Sequence, residues 1–224
     1  EGKSKGEKDY KSTNRDVRKL LEELKDEKVE GVIVDLRNNG GGSLQEAIEL
    51  TGLFIPSGPV VQVKSTYGDV EVEDDPDPIE VYDGPLFVMV NRFSASASEI
   101  FSAAIQDYGR GVVIGEQTYG KGTVQTIYDI NRYLRTDVPL GELKLTIAKF
   151  YRISGGSTQH KGVVPDITFP SAFDPAEYGE SSNPSALPWD QIKSANYTKI
   201  NDLSKYIPRL KNSYEKRIKT NPEF

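Results

Sequence analysis

The chain has no cysteine among its 224 residues. That excludes disulfides, cysteine nucleophiles and cysteine-based zinc sites together. It has one histidine, His160, so a His-rich metal site is excluded and a Ser-His mechanism would rest wholly on that residue. Long apolar runs are also missing. Stretches such as Pro85 to Val90 fall far short of the roughly 20 residues that span a bilayer. Excess positive charge is absent too: 28 basic residues face 34 acidic ones, for a formal charge of −6, which argues against nucleic acid as a partner. The opening stretch Glu1 to Lys11 is charged and polar. It reads as a solvated tail or loop rather than a secretory signal.

What is present is clustered. Apolar residues make up 36% of the chain, and Gly31 to Leu36, Pro85 to Val90 and Gly111 to Ile114 can build a buried sheet. Residues 13 to 28 carry a helical stripe of Val17, Leu20, Leu21 and Leu24, with Asn14 as cap. The strand that follows, 31 to 36, reads as buried on both faces, which predicts α/β packing on a parallel sheet. A second helix is expected from Leu44 to Leu53, and a strand pair, Val60 to Val63 and Val70 to Val72, around a Tyr67-Gly68-Asp69 turn. Leu86 to Val90 and Val112 to Ile114 read as further buried strands. Between them Ser98 to Tyr108 reads as a helix with Ile100, Phe101, Ala104 and Ile105 inward. Thr123 to Tyr128 and Lys144 to Tyr151 alternate as half-buried strands do. Ser171 to Pro188 is a linker or long loop, and Leu203 to Lys219 a helix with Pro208 near its start and Leu210, Tyr214 and Ile218 on one stripe. This divides the chain into a core, 1–170, and an extension, 171–224.

Three segments could carry chemistry. Asp35-Leu-Arg-Asn-Asn-Gly-Gly-Gly42 joins a strand to a helix and leaves backbone N–H groups at a helix N-terminus, where anions bind. It reads either as an oxyanion hole or as a tight turn. Phe93-Ser-Ala-Ser-Ala-Ser-Glu99 places hydroxyls beside the positive end of a helix, as nucleophile or as N-cap. In Thr118-Tyr-Gly-Lys-Gly-Thr-Val-Gln125, an extended chain points Lys121, Thr123 and Gln125 to one face. A lysine crowded by backbone loses water, and desolvation moves an amine toward a usable base; the other reading is a solvated loop lysine. His160 sits in a polar, glycine-bounded loop and reads as solvated or locally hydrogen bonded. The acidic residues from Glu71 to Asp77 lack a calcium-loop spacing. Lys205, Arg209, Lys211, Lys216, Arg217 and Lys219 read as the wet face of a helix.

Taken in order, the three blocks resemble the signatures of the C-terminal processing peptidases, the tail-specific periplasmic Ser-Lys peptidases among them. Asp107-Tyr-Gly-Arg110, Lys149-Phe-Tyr-Arg152 through Gly162-Val-Val-Pro-Asp166, and Leu187-Pro-Trp-Asp190 fit as well, so the resemblance runs from about residue 13 to 224. The resemblance implies a crotonase- or Clp-protease-like fold, a twisted β-sheet core wrapped by helices, with no metal or organic cofactor. The family places its nucleophile 25 residues before its lysine, which selects Ser96 from the three serines for Lys121. It further implies Gln125 as the group orienting Lys121, and the N–H groups of Ala97 and of Gly41 or Gly42 as the oxyanion hole. Asp107, Glu99 and Thr118 are implied as supports. Expected partners are protein or peptide substrates with apolar C-termini and an adaptor protein, in the bacterial periplasm, with membrane contact only through a longer chain. No PDZ domain is recognisable, and the family's strand before the first helix is missing. The abrupt charged opening and the close at Pro222-Glu-Phe, which reads as a helix start cut short, add to the expectation of a fragment. Two other readings of the same residues are a non-catalytic peptide-binding module and an acyl-CoA enzyme of the crotonase group.

Overall fold

The structure is a computed structural model that describes residues 10–134 and 138–221. Apart from residues 10 and 11, the expected N-terminal tail lies outside the described residues, as does the close at 222–224.

Helix α1 (Thr13–Asp26) is capped by Ser12, whose Oγ accepts from the Arg15 N–H at 3.3 Å. The expected cap, Asn14, lies inside the helix, and its amide donates to Glu49 at 3.1 Å on the next helix. Both residue types cap well; the helix starts two residues earlier because Glu46 holds Ser12 Oγ and the Asn14 N–H together. Of the apolar stripe, Leu21 is buried but Leu20 is exposed. Then come β1 (Val32–Asp35), α2 (Leu44–Gly52), β2 (Gly58–Ser65), β3 (Val70–Asp75), β4 (Leu86–Val90) and α3 (Ala97–Asp107). They are followed by β5 (Val112–Gly115), β6 (Thr123–Asp129), β7 (Glu142–Tyr151), β8 (Ile167–Thr168) and α4 (Ile207–Thr220).

The strands form two sheets. One is parallel, in the order β1-β4-β5-β8; the other is antiparallel, in the order β3-β2-β7-β6. The fold is therefore mixed α/β, as the alternation of strand and helix predicts. Strand β1 corrects one expectation. It is an edge strand whose burial alternates, with Ile33 61% exposed, so it is covered on one face only. Its four apolar-rich residues resemble a central strand, but an edge strand has a neighbour on one side and here one packed face. The two-residue β8 is too short to leave a periodic signal.

Helix α3 is the wall common to both cores. Phe101 and Ile105 pack into the cluster under the parallel sheet, with Val88, Val90 and Val113. Ile100 and Ala104, one step round the helix, pack against Val60, Val61 and Phe150 of the antiparallel sheet. The stripe read from the sequence is thus two adjacent stripes, and each anchors the helix to a different sheet. The N-terminus of α3 is held between them. Beyond residue 170 the chain runs back along the core: Ile192 and Ala195 donate backbone N–H groups to Gly155 and Ile153 at 2.9 and 2.8 Å. Tyr214 on α4 stacks on Phe169 at 5.0 Å. The basic residues of α4 face solvent.

Ile105 is wholly buried in this wall. Ile105→Ala should lower stability by about 2–5 kcal/mol, whereas Ile33→Ser on the open face of β1 should change it by less than about 0.5 kcal/mol. Urea midpoints compare the two directly, and equal losses would mean that β1 is covered on both faces after all.

Candidate active site

The loop from Asn91 to Ser96 leads β4 into α3, and its serines have different fates. Ser94 Oγ donates to Leu36 O at 2.8 Å and accepts from the Asn91 N–H at 3.0 Å. Ser98 Oγ donates to Asn39 O at 3.0 Å. Both are buried and tie the glycine block to the start of α3. Ser96 is the N-cap of α3 and shares a capping box with Glu99: its Oγ faces the Glu99 N–H, its own N–H is held by the Glu99 carboxylate, and among the described residues its hydroxyl proton has no acceptor. Its backbone has φ 58° and ψ −116°, a conformation that costs a non-glycine residue about 1–3 kcal/mol and collects at functional sites. Ser96 lines a cleft of about 310 Å³ together with Gly42, Ala97, Lys121 and Gln125, and with Leu44, Ile100, Val124 and Phe150 as apolar wall.

Glu99 stands behind this cleft with no solvent exposure. Its Oε2 accepts from the N–H of Ser96 at 2.8 Å and of Lys121 at 2.9 Å. Its Oε1 accepts from the Gly120 N–H at 2.7 Å and from Thr118 Oγ1 at 2.5 Å. One carboxylate therefore holds the loop that carries Ser96 against the loop that carries Lys121. Burial pushes its pKa up to about 7, against the pull of those four donors. Thr118 also accepts from the Val163 N–H at 2.7 Å, so it ties this carboxylate to the turn after Gly162.

The glycine block meets the same helix end. Gly41 has φ +94°, and a β-carbon there would lie 2.6 Å from Ala95 O and 2.7 Å from Ala97 N. Only glycine lets the two backbones approach this closely. The Gly41 N–H donates to Asn39 Oδ1 at 3.0 Å. Among the described residues the N–H groups of Gly42 and Ala97 have no protein acceptor, and Ala97 is the first residue of α3, where such groups are orphaned. Of the two glycines considered, Gly42 is the one with a free donor on the cleft.

Other expected residues sit elsewhere or make fewer contacts. Asp107, at the far end of α3, accepts from Arg152 at 2.6 and 3.1 Å and from Ser154 Oγ at 3.0 Å, so it fastens α3 to the end of β7. Gln125 lines the cleft without a hydrogen bond to Lys121, and Ser96 Oγ and Lys121 Nζ are not bonded to each other. His160 has φ 63° and donates its N–H to Gly120 O at 2.8 Å; its Nε2 is buried without a partner among the described residues, outside the cleft. Among the described residues no group of acids or histidines is arranged to hold a metal, and no helix is long and apolar enough to cross a membrane. Sequence reasoning passed over Asn39, which fixes Gly41, and Gln159, whose Oε1 accepts from the Gly122 N–H at 2.8 Å. It also passed over Arg92. The partners of Gln159 and Arg92 are backbone groups far along the chain, which leave no local pattern, whereas Asn39 reaches an N–H only two residues on, inside a block read for its glycines.

Comparison with known proteins fits this geometry. The model of peptidase family S41 matches residues 6–169, and the model described as the C-terminal domain of tail specific protease matches residues 173–224. A tail-specific protease of Haemophilus influenzae is 52% identical over 220 residues, which is 96% of this chain and 32% of that protein. A carboxy-terminal-processing protease of Bartonella bacilliformis is 36% identical over 165 residues, 72% of this chain and 36% of its own. The chain thus spans about a third of the length of these curated relatives. Among solved structures, the photosystem II D1 C-terminal processing protease superposes with a TM-score of 0.62 at 30% identity, over 73% of this chain and 39% of that one. Mature CPAF complexed with lactacystin superposes at 0.60 over 95% and 49%; at 15% identity that likeness is one of fold. With the S41 model covering most of its length and half of its residues shared with a tail-specific protease, the chain belongs to peptidase family S41.

Proposed function

We propose that this core belongs to a serine endopeptidase that cuts proteins by a Ser96-Lys121 dyad. The observation that carries the reading is one cleft that holds a strained serine whose hydroxyl proton has no acceptor among the described residues, a half-buried lysine and two free N–H groups. Ser96 Oγ attacks the scissile carbonyl while Lys121 Nζ takes its proton. The oxyanion is held by the N–H groups of Ala97 and Gly42, the positive end of α3 adding to the field. Collapse of the tetrahedral species breaks the C–N bond, and Lys121 returns the proton to the leaving amine. Water, deprotonated by Lys121, then hydrolyses the Ser96 ester. Gln125 turns Lys121 toward Ser96 when substrate fills the cleft; catalytic hydrogen bonds commonly tighten only then. Glu99 and Thr118 position the two loops, and Asp107 steadies α3.

The apolar wall of the cleft supports substrates that present apolar side chains in an extended chain. Selection of apolar C-terminal tails is proposed for the whole protein, with an adaptor as a further partner, on the likeness to a tail-specific protease. The compartment we assign is the bacterial periplasm, where a cysteine-free chain keeps the same covalent structure under oxidising conditions.

In the intact protein, Ser96→Ala and Lys121→Ala should each lower kcat for an unfolded, apolar-tailed protein at least about 1,000-fold. His160→Asn, which tolerates the left-handed backbone, should stay within about threefold. Undiminished cleavage by Ser96→Ala would sink the reading. If substrate still binds the parent tightly and is never cut, the peptide-binding alternative stands instead.

Glu99 gives a second test. Its folded pKa, about 7, lies above the ordinary 4.5. The folded state therefore binds this proton more tightly than the unfolded chain, and the stability so gained is lost as pH rises from about 4.5 through 7. The parent should lose on the order of 3 kcal/mol more than Glu99→Gln between pH 4.5 and 8. Parallel stability-pH curves from urea unfolding would contradict it.

A further inference from the structure

Arg92 lies four residues before Ser96 and is 1% exposed. A guanidinium this deep ordinarily has a carboxylate against it. Among the described residues Arg92 has no ion-pair partner, and its donors all go to backbone carbonyls. Nη1 donates to Thr118 O at 2.5 Å and Gln117 O at 3.4 Å, Nη2 to Pro175 O at 3.3 Å, and Nε to Tyr178 O. Two of those carbonyls belong to the loop that runs on to Lys121. The other two belong to the segment after residue 173. A rigid fork of five N–H groups suits such a hub, and a lysine could not reach all four.

The neighbouring contacts link the same three segments. Phe93, between Arg92 and Ser96, packs edge-on to Phe173 at 4.9 Å and to Tyr178 at 6.3 Å. The Glu180 N–H donates to Tyr119 O at 3.0 Å, and the Tyr119 N–H donates to Ser94 O at 3.0 Å. Glu180 Oε1 accepts from Gln159 Nε2 at 3.1 Å, and Gln159 in turn holds the Gly122 N–H. Residues 173–180 thus reach both sides of Lys121 in the chain, without lining the cleft themselves. Glu99 joins the two catalytic loops from the inside; burial lowers the pKa of Arg92, and the nearby Glu99 charge offsets part of that.

We infer that residues 173–180 are a clasp which, through Arg92, sets the spacing between the Ser96 loop and the Lys121 loop, so that Arg92 is a positioning residue for the reaction. The inference rests on the Ser96-Lys121 reading. It gives the start of the C-terminal domain a part in catalysis and not merely in folding. A burial role alone would change how much protein is folded. A positioning role changes turnover per folded molecule, because a misplacement of about 1 Å costs up to about 100-fold.

Gly179 offers an independent handle. It has φ +138°, and a β-carbon there would press on Arg92 Nη2 and lie 2.9 Å from Tyr119 O. The test compares Arg92→Met, Arg92→Lys and Gly179→Ala in the intact protein, with kcat and KM referred to the folded fraction measured by circular dichroism. We expect Arg92→Met and Gly179→Ala each to lower kcat about 10- to 100-fold with KM within about twofold. Arg92→Lys should recover part of the loss. Arg92→Met combined with Gly179→Ala should be no worse than the worse single variant, since both break one contact. If Arg92→Met does not fold, Gly179→Ala and Arg92→Lys carry the comparison. A kcat per folded molecule within twofold of the parent would overturn the clasp, as would losses that multiply in the double variant. Ser96→Ala run alongside separates the two ideas. If Ser96→Ala still cleaves, the dyad reading is what fails. If it is inactive while the Arg92 and Gly179 variants turn over normally, only the clasp fails.

Discussion

Glu99 accepts four hydrogen bonds in a place that water does not reach: from the N–H groups of Ser96, Gly120 and Lys121, and from the Thr118 hydroxyl. Three of those donors are backbone, so the carboxylate fixes where two loops run rather than where two side chains point. A buried acceptor left unmade is costly, and each lost donor would leave part of that cost uncompensated. The two loops are therefore held together by the same penalty that makes burying a carboxylate unfavourable in the first place. Burial and hydrogen bonding act in opposite directions on this one group, and burial is the larger.

The rest of the fold serves to put Glu99 there. It lies in the first turn of α3, and α3 is fixed by packing into two cores at once. Ile100 and Ala104 commit the helix to the antiparallel sheet, which supplies Gln125 and, with Val124 and Phe150, part of the apolar wall of the cleft. Phe101 and Ile105 commit it to the parallel sheet, whose strand β1 runs into the glycine block. The N–H groups of Gly42 and Ala97 come together because these two commitments meet at one helix end. Ser94 and Ser98 pin that end to Leu36 and Asn39, which leaves Ser96, the capping residue between them, with its hydroxyl proton uncommitted among the described residues.

The segment beyond residue 170 is more than a trailing linker. Two of its backbone carbonyls accept from Arg92, its aromatics cover Phe93, and its N–H groups pair with carbonyls of the core as far back as Tyr108. Loop-like composition described its lack of regular structure correctly. It said nothing of how many partners such a segment would find. Irregular backbone must be satisfied group by group, and here the core supplies the partners.

By itself the sequence determined the elements and the cast of residues. A helical stripe placed α3, alternation placed β6 and β7, and short apolar runs placed β4 and β5, because side-chain spacing and local composition are properties of a short stretch of chain. The order of the glycine, serine and lysine blocks carried the family resemblance. Only the tertiary structure decided matters of partnership. It made β1 an edge strand, moved the cap of α1 to Ser12 and took Asp107 away from the cleft. It also spent the Gly41 N–H on Asn39 and gave Arg92 its role as a hub. These outcomes depend on hydrogen bonds between groups from 2 to more than 80 positions apart. Short-range patterns cannot encode which distant carbonyl or carboxylate will be within 3 Å, because that is settled only when the two sheets close around α3.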